Sequence, residues 1–243
     1  MWDYLCILGA LCLADRGLRR WVTDTKTRWF VLHALANTAI AAVVLPAFAQ
    51  AWRRPEWSVY MPAGDEHRSR LDSAVIGALH LYHALAFPMD ADDWFHHLLF
   101  IPFNQLAVAL PRWMPADAAR GGWRWGPCIQ MQHFFICGLP GAIDYGSLAL
   151  VRAGRLGRLR QKRLQARLNL WLRCPGVLFT ISLLLFETAR AAPPPPAAAV
   201  AIVALDTVLI GFNSLYYTER VIASYCRHAE FRHPPRRNHA STE

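Results

Sequence analysis

Long apolar runs broken by short clusters of charge constrain this chain more than anything else in it. A run of about 20 apolar residues satisfies its own backbone in lipid only as a membrane-crossing helix. Seven runs approach that length: Trp2 to Ala14, Trp29 to Trp52, Ser73 to Met89, Trp94 to Leu110, Pro127 to Val151, Leu170 to Phe186 and Ala197 to Tyr217. The first is the shortest, and a six-span version loses it while keeping the rest. A soluble core would scatter charge along amphipathic faces. Here only 18% of residues are charged, against roughly 25% in a typical soluble domain, and 54% are hydrophobic. The expected fold is all-α: a polytopic transmembrane helical bundle of six to seven spans around a polar cavity.

The net charge of +9 follows from this topology rather than from nucleic-acid binding, because the basic residues sit at the ends of the apolar runs. The 26 basic residues divide unequally between the two sides. One side takes Arg16, Arg19, Arg20, Lys26 and Arg28, the eight from Arg152 to Arg173, and Arg220, Arg227, Arg232, Arg236 and Arg237; the other keeps Arg53, Arg54, Arg68, Arg70, Arg112, Arg120, Arg124 and Arg190. Lysine and arginine collect in the cytosol, so the expected orientation has the N-terminus outside and the C-terminus cytosolic. Tryptophans at positions 29, 52, 94, 113, 123, 125 and 171 fall near the expected helix ends, where the ring prefers the membrane interface. The proline run from Pro193 to Pro196 reads as a turn between the last two spans. The segment Arg152 to Arg167 reads either as a positive-inside loop or as an amphipathic helix lying on anionic headgroups.

The six cysteines are dispersed without a Cys-x-x-Cys pair and read as buried small hydrophobes. The opening Met1-Trp2-Asp3 lacks the basic region of a removable signal peptide. Three units are expected: residues 1–24 as an N-terminal membrane helix and cytosolic basic turn, 25–227 as the transmembrane domain, and 228–243 as a basic disordered cytosolic tail.

Ionisable groups inside a membrane are costly and usually face a bundle interior. His33 and Asn37 are four residues apart, and His80 and His83 three apart, so each pair shares a helical face. In Asp92-Asp93-Trp94-Phe95-His96-His97 two carboxylates precede two histidines at a helix start. Asp93 stands four before His97, positioned to accept its N–H and fix its tautomer, and Asn104 continues that face. His133, Cys137 and Asp144 align in the fifth span, with Gln130 a turn before and Pro140 expected to kink it. Asp206, Asn213 and Tyr217 align in the last.

This pattern resembles the TLC domain family, which includes the TRAM proteins and the ceramide synthases. The similarity lies in Arg28-Trp29-Phe30-Val31-Leu32-His33-Ala34, in Asp92, Asp93 and His96-His97, and more weakly in Arg167 to Arg173 with Cys174-Pro175-Gly176 and in Asn213-Ser214-Leu215-Tyr216-Tyr217. It covers roughly Thr25 to Arg227. The resemblance implies about six helices around a lipid-accessible cavity in the endoplasmic reticulum, sometimes with an added N-terminal helix. It implies lipid binding or processing, acyl or sphingolipid related. Members with the full ceramide synthase motif transfer an acyl chain from acyl-CoA to a sphingoid amine; others sense lipid, shape membrane composition or assist trafficking and translocation. The chain departs from the full motif: no threonine follows His96-His97, and Asp144 alone stands where the family has a pair of aspartates.

Four function classes therefore stand at this point. Lipid handling in an intramembrane cavity uses membrane lipid as partner, with no cofactor and no nucleic acid. An acyltransferase adds acyl-CoA as co-substrate, with His97 as general base or acyl acceptor oriented by Asp93 and His96 polarising the thioester carbonyl. A membrane hydrolase or oxidase would hold a metal on His80, His83, His96 and His97. In a transporter, trafficking or assembly factor the same polar groups merely pack helices.

Overall fold

The computed structural model describes residues 2–53, 71–109, 127–191, 194–195 and 197–232, and of these every regular element is helical. The helices are α1 (Trp2–Leu18), α2 (Thr25–Arg53), α3 (Leu71–Ala86), α4 (Ala91–Ala109), α5 (Pro127–His133), α6 (Leu139–Arg152), α7 (Arg158–Leu168), α8 (Cys174–Arg190) and α9 (Ala197–Arg232). A π turn over Phe134–Gly138 joins α5 to α6, and another over Asn169–Arg173 joins α7 to α8. Four continuous helices, Thr25–Gln50, Pro127–Arg152, Arg158–Arg190 and Ala197–Ala229, are long and apolar enough to cross a membrane.

The outward faces of the helices suit lipid. Leu45, Leu85, Leu98, Phe186, Val208 and Leu215 are each more than half exposed, a surface that water would penalise and acyl chains would not. Inside, α2 is the central post: Leu32, Ile40 and Val44 are fully buried, and α3, α5 and α6 all pack against it. On α3 every residue from Asp72 to His80 is buried, because α1, α2, α4 and α5 surround it.

Both π turns answer a proline. Pro140 and Pro175 follow the two turns closely; proline offers no N–H, and its ring crowds the carbonyl four residues back. Widening the turn relieves that crowding: the N–H of Leu139 reaches the carbonyl of Phe134, and that of Cys174 reaches Asn169, each five residues back. Each proline is followed by a glycine that permits close approach. A Cβ on Gly141 would stand 2.5 Å from Nδ2 of Asn37, and one on Gly176 would run into the ring of Phe135.

Several expectations need correction. Residues 158–168 form a helix rather than a loop; α7 continues through the π turn into α8 and packs along α6 and α9. The last helix extends well past Tyr217 to Arg232, so residues 228–232 are helical rather than tail; the rest of the tail, 233–243, lies outside the described residues. Trp29 turns into the bundle and is 6% exposed, whereas Trp171 points outward and is 75% exposed. Of the cysteines only Cys128 is buried; Cys6 and Cys226 are exposed on outward faces, and all six are free thiols.

Asp24 ties the α1–α2 turn to the end of α6. It accepts bonds from Arg152 Nε at 2.7 Å and Nη2 at 3.0 Å, and the guanidinium holds its carboxyl well below the usual carboxylate range. A depressed folded pKa gives stability that is fully present above the unfolded value of about 3.9 and is lost only as pH falls through the lower folded value. Both partners are over two-fifths exposed, so the contribution is at most about 1 kcal/mol. The expected result is that the stability gap between wild type and Asp24→Asn, followed by thermal unfolding in detergent, persists unchanged down to about pH 4.

Candidate functional site

Five imidazoles from three helices meet at one level of the bundle. His33 comes from α2, His80 and His83 from α3, and His96 and His97 from α4, each aimed inward by the helical spacings on its own strand of sequence. The ring of His80 lies 4.8 Å from His97, 5.5 Å from His96 and 6.0 Å from His33. Aromatic rings floor and wall this cage. Trp29 stacks on His83 at 3.8 Å, Tyr145 of α6 stacks on His33 at 3.9 Å, and Tyr217 of α9 meets His96 edge-on at 6.1 Å.

Hydrogen bonds set the proton positions. His80 Nδ1 stands 2.7 Å from the carbonyl of Ile76, which can only accept, so Nδ1 carries the proton and Nε2 keeps its lone pair. His83 Nδ1 faces His97 Nε2 at 3.2 Å, so one ring donates to the other. A pair of imidazoles sharing one proton can accept a proton at one outer nitrogen while losing one at the other, which is general acid–base capability within an apolar enclosure. His33 Nδ1 and, one turn on, Asn37 Oδ1 are buried with no hydrogen-bond partner among the described residues.

The expected tie between Asp93 and His97 is absent. Asp93 Oδ2 instead accepts from the backbone N–H of Asp90 while Asp90 Oδ1 accepts from that of Asp93, a reciprocal capping box that starts α4. Capping uses the carboxylate where free helix N–H groups demand it, leaving His97 to His83.

The remaining predicted residues do not all join the cage. His133 pairs with Asp72 of α3 at 2.6 Å, and Asp206 accepts from Gln132 at 2.8 Å, forming a second polar layer about α5. Asp144 is buried against the amides of Gln161 at 3.2 Å and Gln165 at 3.0 Å on α7. Asn213 is buried on α9 with an unpartnered Oδ1. The backbone of Asn104 lies in α4, but its side chain is outside the described residues.

Sequence reasoning missed Trp29 and Tyr145 as cage walls, and Asp72 and Gln132 as partners. Tyr145 directly follows Asp144 and was legible only as a neighbour, and Asp72 looked like an ordinary charge before an apolar run. Among the described residues no group of three or more His, Cys, Asp or Glu side chains is arranged to hold a metal ion. No family model, no curated protein and no solved structure matches this chain.

Proposed function

We propose that the chain is a TLC-like multi-pass protein of six to seven spans that binds or processes an acyl or sphingolipid-related lipid at the histidine cage. One observation carries this reading: five imidazoles converge inside a bundle whose outer face is apolar, an arrangement that hydrocarbon tolerates only around an interior site. The four long helices supply the frame. Helices α1, α3 and α4, of 17, 16 and 19 residues, complete it as shorter spans, and the shortness of α3 is shielded by the helices around it. The basic asymmetry favours a cytosolic C-terminus, and the family resemblance favours the endoplasmic reticulum.

The contact between His83 and His97 favours an enzymatic version. There His97 takes the proton of an acceptor amine or hydroxyl as it attacks the acyl thioester, and the proton leaves with the thiol. The test is lipid extraction and mass spectrometry of detergent-purified protein, wild type beside His83→Ala and His97→Ala, with lipid profiles of the producing cells. A lipid enriched over a detergent blank and lost from well-folded variants is the expected result. No enriched lipid, together with cellular profiles that do not respond to either substitution, would overturn the reading.

A further inference from the structure

The exposed arginines of this protein fall into two kinds. Arg19, Arg152 and Arg220 each hold an aspartate, Asp15, Asp24 and Asp92 respectively. Among the described residues Arg16, Arg20, Arg155 and Arg158 hold none, nor do Arg160, Arg163 and Arg167, and these last three are exposed side by side on one ordered helix. Their spacing of three and four residues puts them in one stripe. Gln161 and Ala166, 1% and 9% exposed, flank that stripe on either side and face the bundle, so packing has turned the arginines outward. Leu164, 37% exposed, lies beside them, and Gly157, Leu159, Arg160 and Arg163 line a groove of about 310 Å³.

Topology alone does not require this. The positive-inside bias is satisfied by arginines in any conformation, whereas α7 is held rigid by Asp144 beneath it and by its unbroken passage into α8. Nor does a flat bilayer fit the stripe. Exposed Trp171 marks the interface one turn beyond Arg167, and from Arg167 the stripe climbs about 10 Å along the helix axis, away from the apolar span. An occupant must run beside α7 rather than under it.

We infer that the outer face of α7 is a docking surface for an acidic amphipathic helix of a cytosolic protein. A helix laid along α7 repeats the same rise, so carboxylates spaced three and four residues apart meet the three guanidinium groups in register, each in bidentate geometry. Its apolar side chains meet Leu159 and Leu164. The cytosolic placement rests on the orientation proposed above.

The test uses the full chain in an uncharged detergent and two labelled peptides of identical composition in glutamate, alanine and leucine. One carries glutamates in register with the stripe; the other has them shuffled. Fluorescence anisotropy is expected to show the in-register peptide binding about tenfold tighter, with affinity that falls as salt rises. Arg160→Glu, Arg163→Glu and Arg167→Glu together should abolish that preference. Arg16→Glu, Arg20→Glu and Lys26→Glu, an equal charge change at exposed sites elsewhere, should leave it intact. Equal binding of the two peptides, or equal loss in both triple variants, would show general attraction of polyanions and overturn the proposal. So would a stripe variant that keeps the peptide preference but loses phosphatidylserine retained from mixed nanodiscs, since the face would then serve headgroups. Lipid content at the histidine cage is read separately and is unmoved by either outcome.

Discussion

Asp72→Ala is expected to cost about 3 kcal/mol or more, because it removes the buried carboxylate that pairs with His133 Nδ1 at 2.6 Å in the bundle interior. The side chain of Asp72 is fully buried and that of His133 is 5% exposed, so water does not reach this contact. The layer around the pair is polar but tightly packed: Cys137 donates to the His133 carbonyl, and the preceding residue, Gln132, donates to Asp206. Thermal unfolding of Asp72→Ala, His133→Ala and the double variant in one detergent forms a cycle. The double variant should be clearly more stable than the sum of the two losses implies. Strict additivity would show that the two side chains stabilise the fold independently, contrary to the geometry.

A loss of about 3–5 kcal/mol is likewise expected for Asp15→Ala, at the other end of α1. Asp15 accepts from Arg28 Nε at 2.9 Å, from Arg19 at 2.9 Å and 3.1 Å and from Tyr82 at 3.1 Å, and its side chain is 1% exposed. Without it Arg28, itself buried, keeps only the carbonyls of Val22 and Thr23. Neighbouring substitutions should grade the effect. Tyr82→Phe removes one hydrogen bond and should cost about 1 kcal/mol. Arg19→Ala, whose side chain is 58% exposed, should cost less. A melt in which Arg19→Ala is the worst of the three would remove Arg28 from the centre of this network.

Arg28 also shows where sequence reading stops. It was counted among the charges at the helix ends, yet the structure buries it, and the warning in the sequence was an aspartate, Asp15, at the end of the preceding apolar run. The helical class and the apolar runs were legible because lipid imposes length and composition directly. The convergence of His33, His80, His83, His96 and His97 was legible as separate stripes, since periodicity fixes a face but not the helix it meets. Asp93 and His97 were rightly spaced to touch, but spacing carries no information on competing N–H donors, and the capping box took the carboxylate. The alignment of His133 with Asp144 failed for a different reason: a uniform period was assumed through a segment that does not have one.

That segment, Phe134–Gly138, inserts a residue into the winding and so resets the azimuth of everything after it by about 100°. The rod from Pro127 to Arg152 therefore has two compass bearings rather than one. Its N-terminal half turns His133 to α3, while its C-terminal half turns Tyr145 to α2 and Asp144 to α7. A single straight helix would have had to point one of these groups at oil.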